Sequence, residues 1–283
     1  MTEHSERRSK IKVGLAQIDC RLADLEHNLA HHLEWIATAR AEGVELLLFP
    51  ELSLTGYRLL HLTPRVALQT GSSPLLRTLR EAAPEIAIVV GCVEEDEKGA
   101  LYNSAILLHG GEVTHVHRKL YLPTYGIFQE GRFFSEGRRL GLTTLFGNPF
   151  GVLICEDFWH SDPAEKLARH GAKLIGVISA SPGSVGSEPM PPSQEAWESL
   201  TRASALLNHP RGSSTAAGSA GKRARSTPAA ATSTSGRAAS CRPRALSRGA
   251  SAHRGIPISP RGRPSALAPA DPRRRTRRAS RPG

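Results

Sequence analysis

The apolar residues from which a core could be built run out at Asn208. Beyond it, the last 75 of 283 residues contain no Phe, Trp, Tyr or Val and only four Leu or Ile, in a background of Arg, Ala, Ser, Pro and Gly. Ordering a backbone costs roughly 1–2 kcal/mol per residue, and a segment of this composition buries too little apolar surface to offset that. Residues 209–283 are therefore expected to be a disordered basic tail, and the folded part to lie within residues 11–208. Charge divides at the same place. The tail holds 17 of the 37 Lys and Arg but a single acidic residue, Asp271, which leaves 20 basic and 25 acidic residues before it. The net +11 of the chain thus describes neither part. It gives no ground for a nucleic-acid or anionic-membrane surface on the folded part, and the run at 273–278 would make only nonspecific contact with a polyanion.

Residues 1–10 form a polar, charged extension without an apolar signal segment, and no stretch approaches the ~18 apolar residues of a membrane span. Four cysteines, Cys20, Cys92, Cys155 and Cys241, stand at spacings that suit neither a metal site nor a dense disulfide framework. The expectation is a soluble cytoplasmic protein in a reducing compartment, with no membrane contact.

Within the folded part, periods alternate. A short apolar run at 11–18 is followed by Leu25, Leu29, Leu33 and Ile36 at near-helical spacing, then by a second run at 46–49. A helix is predicted over 74–83, strands over 86–93, 101–108 and 113–117 with the Gly110-Gly111 pair as a hairpin turn, and no regular element over 118–137. A strand at 151–154, a helix at 163–170, a strand at 174–179 and a helix at 194–207 complete an α/β pattern with sheet layers covered by helices.

Three polar residues stand where buried strands end, the place where α/β sheets usually bind ligands. Glu51 follows the run at 46–50, Lys119 follows the hairpin strand, and Cys155 follows Val152-Leu153-Ile154. Singly, they read as a helix N-terminal acid, a surface lysine and a buried core cysteine. Together they supply a thiol, a base that makes it a nucleophile, and a fixed positive charge for a tetrahedral oxyanion. A cation beside Cys155 is also expected to lower the thiol pKa. His31, His32, His115, His117 and His160 show no ligand pattern, so no metal is expected.

The strings LLLFPELSLTGY (46–57), HRKLYLPTYGIFQEGRFF (117–134) and GVLICEDFWH (151–160) resemble, in order and spacing, the three signature regions of the nitrilase, or carbon-nitrogen hydrolase, superfamily, and KVGLAQIDC (12–20) resembles its first strand. The resemblance implies a nitrilase-like αββα sandwich that assembles into homo-oligomers and uses no cofactor. It implies Glu51 as general base, Lys119 as the cation stabilising the intermediate, and Cys155 as nucleophile. Glu130 would position substrate and lysine, against the alternative of a solvated loop acid, and the backbone N–H of Glu156 would share the oxyanion. The activity implied is hydrolysis of a non-peptide carbon-nitrogen bond in a small amide, ω-amide, carbamoyl compound or glutamine, through a thioester acyl-enzyme. A nitrilase acting on a nitrile is the nearest alternative. The string YGIFQEGRFF leans toward glutaminase-type relatives such as the ammonia-supplying domain of NAD synthetase, although no synthetase domain is present.

The sequence departs from the family after Asn208, where further strands closing the second sheet are expected and HPRGSSTAAG begins instead. The switch is of the kind a high-GC gene yields when read in the wrong frame. The domain is accordingly expected to be incomplete, with its C-terminal strands missing, and a catalytically inactive, basic-tailed interaction protein is the competing reading of the chain.

Overall fold

The computed structural model describes residues 11–180, 192–208, 214–219, 232–234 and 254–257, with side chains described over 11–180 and 195–208. The polar extension at 1–10 and most of the segment 209–283, including the Arg-rich run, lie outside the described residues.

Strands β1 (Val13–Leu15), β2 (Leu46–Leu48), β3 (Ala87–Glu95), β4 (Leu101–His109) and β5 (Glu112–Arg118) form one sheet in chain order. Its first three strands are parallel, with crossovers through α1 (Leu25–Ala41) and α2 (Pro74–Ala82), and the last three are antiparallel, β4 and β5 being joined through Gly110 and Gly111, both at positive φ. α1 starts where the Asp24 carboxylate accepts from His27 N–H, and α2 where Ser73 Oγ accepts from Leu76 N–H ahead of a proline in its first turn. Both are ordinary N-caps.

The second sheet runs β6 (Arg139–Leu145), β7 (Asn148–Ile154) and β8 (Leu174–Ser179), with α3 (Glu156–Trp159) and α4 (Ser161–Arg169) between β7 and β8, and α5 (Pro192–Asn208) after them. Leu46, Leu48, Val89 and Leu107 of the first sheet share one core with Phe150, Val152, Ile154 and Ile178 of the second. Leu47, Ile88 and Val90 point the other way, onto Ile36, Leu76 and Leu79 of α1 and α2, and Leu153, Ile175 and Val177 lie against Ala164, Leu167 and Trp197 of α4 and α5. Alternate residues of each strand thus enter different cores, which is why the strands read as continuous apolar runs rather than as polar–apolar alternation. The layers are helix, sheet, sheet, helix, as the αββα expectation requires.

Two features add to what the sequence suggested. β6 was not legible as a strand, although Leu140, Leu142 and Leu145 are buried along it. The second concerns the region after Asn208. Its described residues are three extended stretches, β9 (Ser214–Ser219), β10 (Thr232–Thr234) and β11 (Arg254–Pro257), which give the sheet the order β10-β9-β8-β7-β6-β11. β9 runs parallel to β8 over six residue pairs, and β11 runs antiparallel to β6. The backbone amides and carbonyls on the open edges of β8 and β6 demand partners whatever side chains the partner carries, and apolar content carries no signal of that demand.

Candidate active site

Glu51 follows β2 in a turn that lies flat on β3. Gly91 permits the approach: a Cβ there would meet Leu52 N at 2.3 Å and Pro50 O at 2.5 Å. Leu54 N–H donates to Gly91 O at 3.0 Å, and Leu52 takes a positive φ of 51° to complete the turn. The Glu51 side chain is buried rather than capping a helix. Its Oε1 accepts from Lys119 Nζ at 2.7 Å and Asn103 Nδ2 at 2.8 Å, and its Oε2 from the Ala180 N–H at 2.9 Å.

Lys119 continues the register of β5, its N–H donating to Asn103 O at 2.9 Å. It is 1 % exposed, so it is no surface lysine. Its ammonium lies between two carboxylates, 2.7 Å from Glu51 Oε1 and 2.7 Å from Glu130 Oε1. Burial alone would lower its pKa, but the Glu51 and Glu130 carboxylates beside it outweigh that and hold it above the usual lysine range. Removing one partner of such a buried pair typically costs about 3–5 kcal/mol.

Glu130 opens a single 3₁₀ turn (Glu130–Arg132) in the loop after Lys119 and is 4 % exposed, which excludes a solvated loop acid. Oε1 also accepts from the Tyr57 hydroxyl, while Oε2 is buried without a hydrogen-bond partner among the described residues. Burial first, then repulsion from Glu51, push its carboxyl up to about 7 against the pull of Lys119. The same burial and the two carboxylates keep the Tyr57 hydroxyl protonated.

Cys155 forms the elbow between β7 and α3 at φ 43° and ψ −101°. A non-glycine residue in such a conformation carries about 1–3 kcal/mol of strain, and the elbow sets the sulfur at the end of the strand ahead of the first amides of α3. Cys155 N–H donates to Ile178 O at 2.8 Å, and the Ser179 hydroxyl donates to Sγ at 3.4 Å. Lys119 and the Ser179 hydroxyl do draw the thiol pKa down, but burial and the negative charge of Glu51 dominate and raise it well above the ordinary thiol value. The expected lowering by Lys119 is thus outweighed, and at neutral pH the group is a thiol. It needs a base at the moment of reaction, and Glu51 is close enough for its charge to act on the sulfur.

The structure brings Glu51, Lys119, Glu130 and Cys155 into one buried cluster, with the Glu156 N–H as the first amide of α3. It adds Asn103, Tyr57, Ser179 and the Ala180 N–H, none of which the sequence singled out. Asp157, two residues past Cys155 in the chain, is also fully buried. Cys92 is buried and Cys20 half-buried, both away from the cluster, and burial pushes the Cys20 thiol up to about 12. Among the described residues no group of three or more His, Cys, Asp or Glu could hold a metal ion, and no helix is long and apolar enough to cross a membrane.

A four-layer αββα sandwich with a thiol, a carboxylate and an ammonium converging at its strand ends is the architecture of the nitrilase superfamily. Residues 12–210 match the Carbon-nitrogen hydrolase family model, and the chain belongs to that family. The glutamine-dependent NAD(+) synthetase of Acinetobacter baylyi is 34 % identical over 197 residues, covering 70 % of this chain and 35 % of the relative. This chain therefore spans about a third of the length of such synthetases. Among solved structures, the glutamine-dependent NAD+ synthetase from Acinetobacter baumannii is 28 % identical at TM-score 0.62, over 74 % of this chain and 38 % of the other. A mutant of the amidase from Nesterenkonia sp. AN1, whose active-site cysteine carries the acetamide moiety of fluoroacetamide, is 26 % identical at TM-score 0.62 over 75 % of this chain and 77 % of the other.

Proposed function

We propose that this chain hydrolyses the carbon-nitrogen bond of a small amide, with the side-chain amide of glutamine the best-supported substrate. The observation that carries the reading is the contact of Lys119 Nζ with Glu51 Oε1 at 2.7 Å, both side chains fully buried, beside a cysteine held at a strained strand end. Glu51 takes the thiol proton as Sγ attacks the amide carbon. The new C–S bond leaves a tetrahedral oxyanion, which Lys119 and the Glu156 N–H stabilise, an arrangement typically worth about 3–4 kcal/mol. Glu51 returns the proton to the nitrogen as the C–N bond breaks and ammonia leaves. A water, deprotonated by Glu51, then attacks the thioester, releasing the acid and restoring the thiol.

Glutamine is favoured over a simple amide by the residue after the nucleophile. The Glu156 carboxylate accepts from the Tyr125 hydroxyl at 2.8 Å and stands 3.6 Å from His160 Nε2 at the outer side of the elbow. A carboxylate at that place suits a substrate carrying an ammonium group. The glutamine-dependent synthetase relatives support the same choice, while the amidase relative supports hydrolysis of a small amide in general.

The test is ammonia release from glutamine, asparagine, acetamide, a carbamoyl amine and a nitrile, with the wild-type chain and Cys155→Ala. Glutamine should be the preferred substrate and Cys155→Ala should be inactive, because no acyl-enzyme can form. Release that survives Cys155→Ala would overturn the mechanism, and no release from any compound would favour the inactive interaction protein.

A further inference from the structure

We propose that Asp157 is a positioning residue that ties the segment carrying Lys119 to the strand end carrying Cys155, with His117 as its partner; the proposal rests on the reading of Lys119 and Cys155 given above. The Asp157 side chain is fully buried, and each of its oxygens accepts two hydrogen bonds. Oδ1 accepts from Leu120 N–H at 2.8 Å and Tyr121 N–H at 3.0 Å; Oδ2 accepts from Ile154 N–H at 3.1 Å and His117 Nε2 at 2.8 Å.

The distribution of these donors decides between a local cap and a strut. An acid in the first turn of a short helix ordinarily serves amides of its own helix. Here three of the four donors come from residues 117–121, on either side of Lys119, and the fourth from the residue before Cys155. Leu120 and Tyr121 follow Lys119 directly, and His117 precedes it on β5, so the clamp holds the lysine's backbone from both sides. His117 Nδ1 is buried without a partner among the described residues, so a single proton on Nε2 is enough for the imidazole to donate. The two strands belong to different sheets, and packing of apolar faces alone tolerates small slides. Four directional bonds to one charged acceptor do not.

In Asp157→Asn the amide nitrogen faces two backbone N–H donors at the Oδ1 position, or at the Oδ2 position the Ile154 N–H and an imidazole that accepts only with its proton moved to Nδ1, so one or two of the four contacts are lost. A misplacement of about 1 Å at a reactive group costs on the order of 10–10²-fold. The readout is the rate at which iodoacetamide alkylates Cys155 in the full chain, resolved by peptide mass, with the Cys20 rate and the melting temperature followed in parallel. Cys155 should react about 10-fold or more slowly in Asp157→Asn, as in Lys119→Ala, and the double variant should be no slower than Lys119→Ala alone. His117→Ala should match Asp157→Asn, and His117→Gln, which keeps an N–H donor, should recover most of the wild-type rate. The Cys20 rate should not move.

Wild-type labelling of Cys155 in Asp157→Asn, or in His117→Ala should the first variant not fold, would overturn the proposal. Additive losses in the double variant would do the same, since Asp157 would then act other than through Lys119. A wild-type Cys155 that reacts no faster than Cys20 would instead remove the reading of Cys155 as an activated nucleophile, and the proposal with it.

Discussion

Replacing Gly91 with alanine should displace Glu51 without touching any charged group. The added Cβ would lie 2.3 Å from Leu52 N, 2.5 Å from Pro50 O and 2.8 Å from the Glu51 carbonyl carbon. Ordinary contact begins at 3.4 Å, so the turn must retreat by about 1 Å. These neighbours are backbone atoms, so no side-chain rotation relieves the clash. Overpacking of this kind costs about 1–3 kcal/mol, and loss of the bond from Leu54 N–H to Gly91 O adds about 1 kcal/mol. A sum near 3 kcal/mol corresponds to a fall in Tm of about 6–12 °C in a domain of this size. The same retreat draws the Glu51 carboxylate away from Lys119 and Cys155, with an expected loss of ammonia-release activity of about 10²-fold. Thermal melting and steady-state glutamine hydrolysis measure the two effects. An alanine variant with unchanged Tm and unchanged kcat would refute the argument that this glycine exists to let the Glu51 turn lie on β3.

Burial holds the Glu130 carboxyl at about 7 instead of 4.5, so the folded protein keeps a proton that the unfolded chain releases. That stabilisation is complete below about pH 4.5 and is lost as pH rises through about 7. Wild-type Tm should therefore fall between about pH 5 and pH 8 relative to that of Glu130→Gln; parallel curves for the two proteins would contradict the shift. Asn103→Ala removes a donor from the Glu51 carboxylate, and a hydrogen bond to a charged group contributes about 1.5–3 kcal/mol. Its kcat should fall about 10–10²-fold with a smaller change in KM, and a change in KM alone would show that Asn103 serves substrate binding and not the base.

The proposed trio of Glu51, Lys119 and Cys155 was legible in the sequence because each member closes an apolar run and sits in a distinctive string. Their supports were not, since each is supplied across a long sequence separation. Asn103 lies 52 positions from Glu51 and Tyr57 lies 73 from Glu130, in stretches that read as ordinary strand and loop. The Ala180 N–H carries no side-chain signal at all. Lys119 draws the Cys155 thiol down as its place in the sequence suggests, but the burial that outweighs it is a property of the assembled sheets and has no signal in the sequence.

Glu51 and Lys119 stand at the ends of strands in the first sheet, and Cys155 at the end of a strand in the second. In the order of synthesis, Glu51 and Lys119 leave the ribosome before the strand that ends at Cys155 has been made. The first sheet can pair its own strands early, since all five are consecutive in the chain. Until β7 docks on it, the nascent protein carries Glu51 and Lys119 without Cys155 beside them. Competence for the proposed hydrolysis is thereby tied to closure of the inter-sheet core.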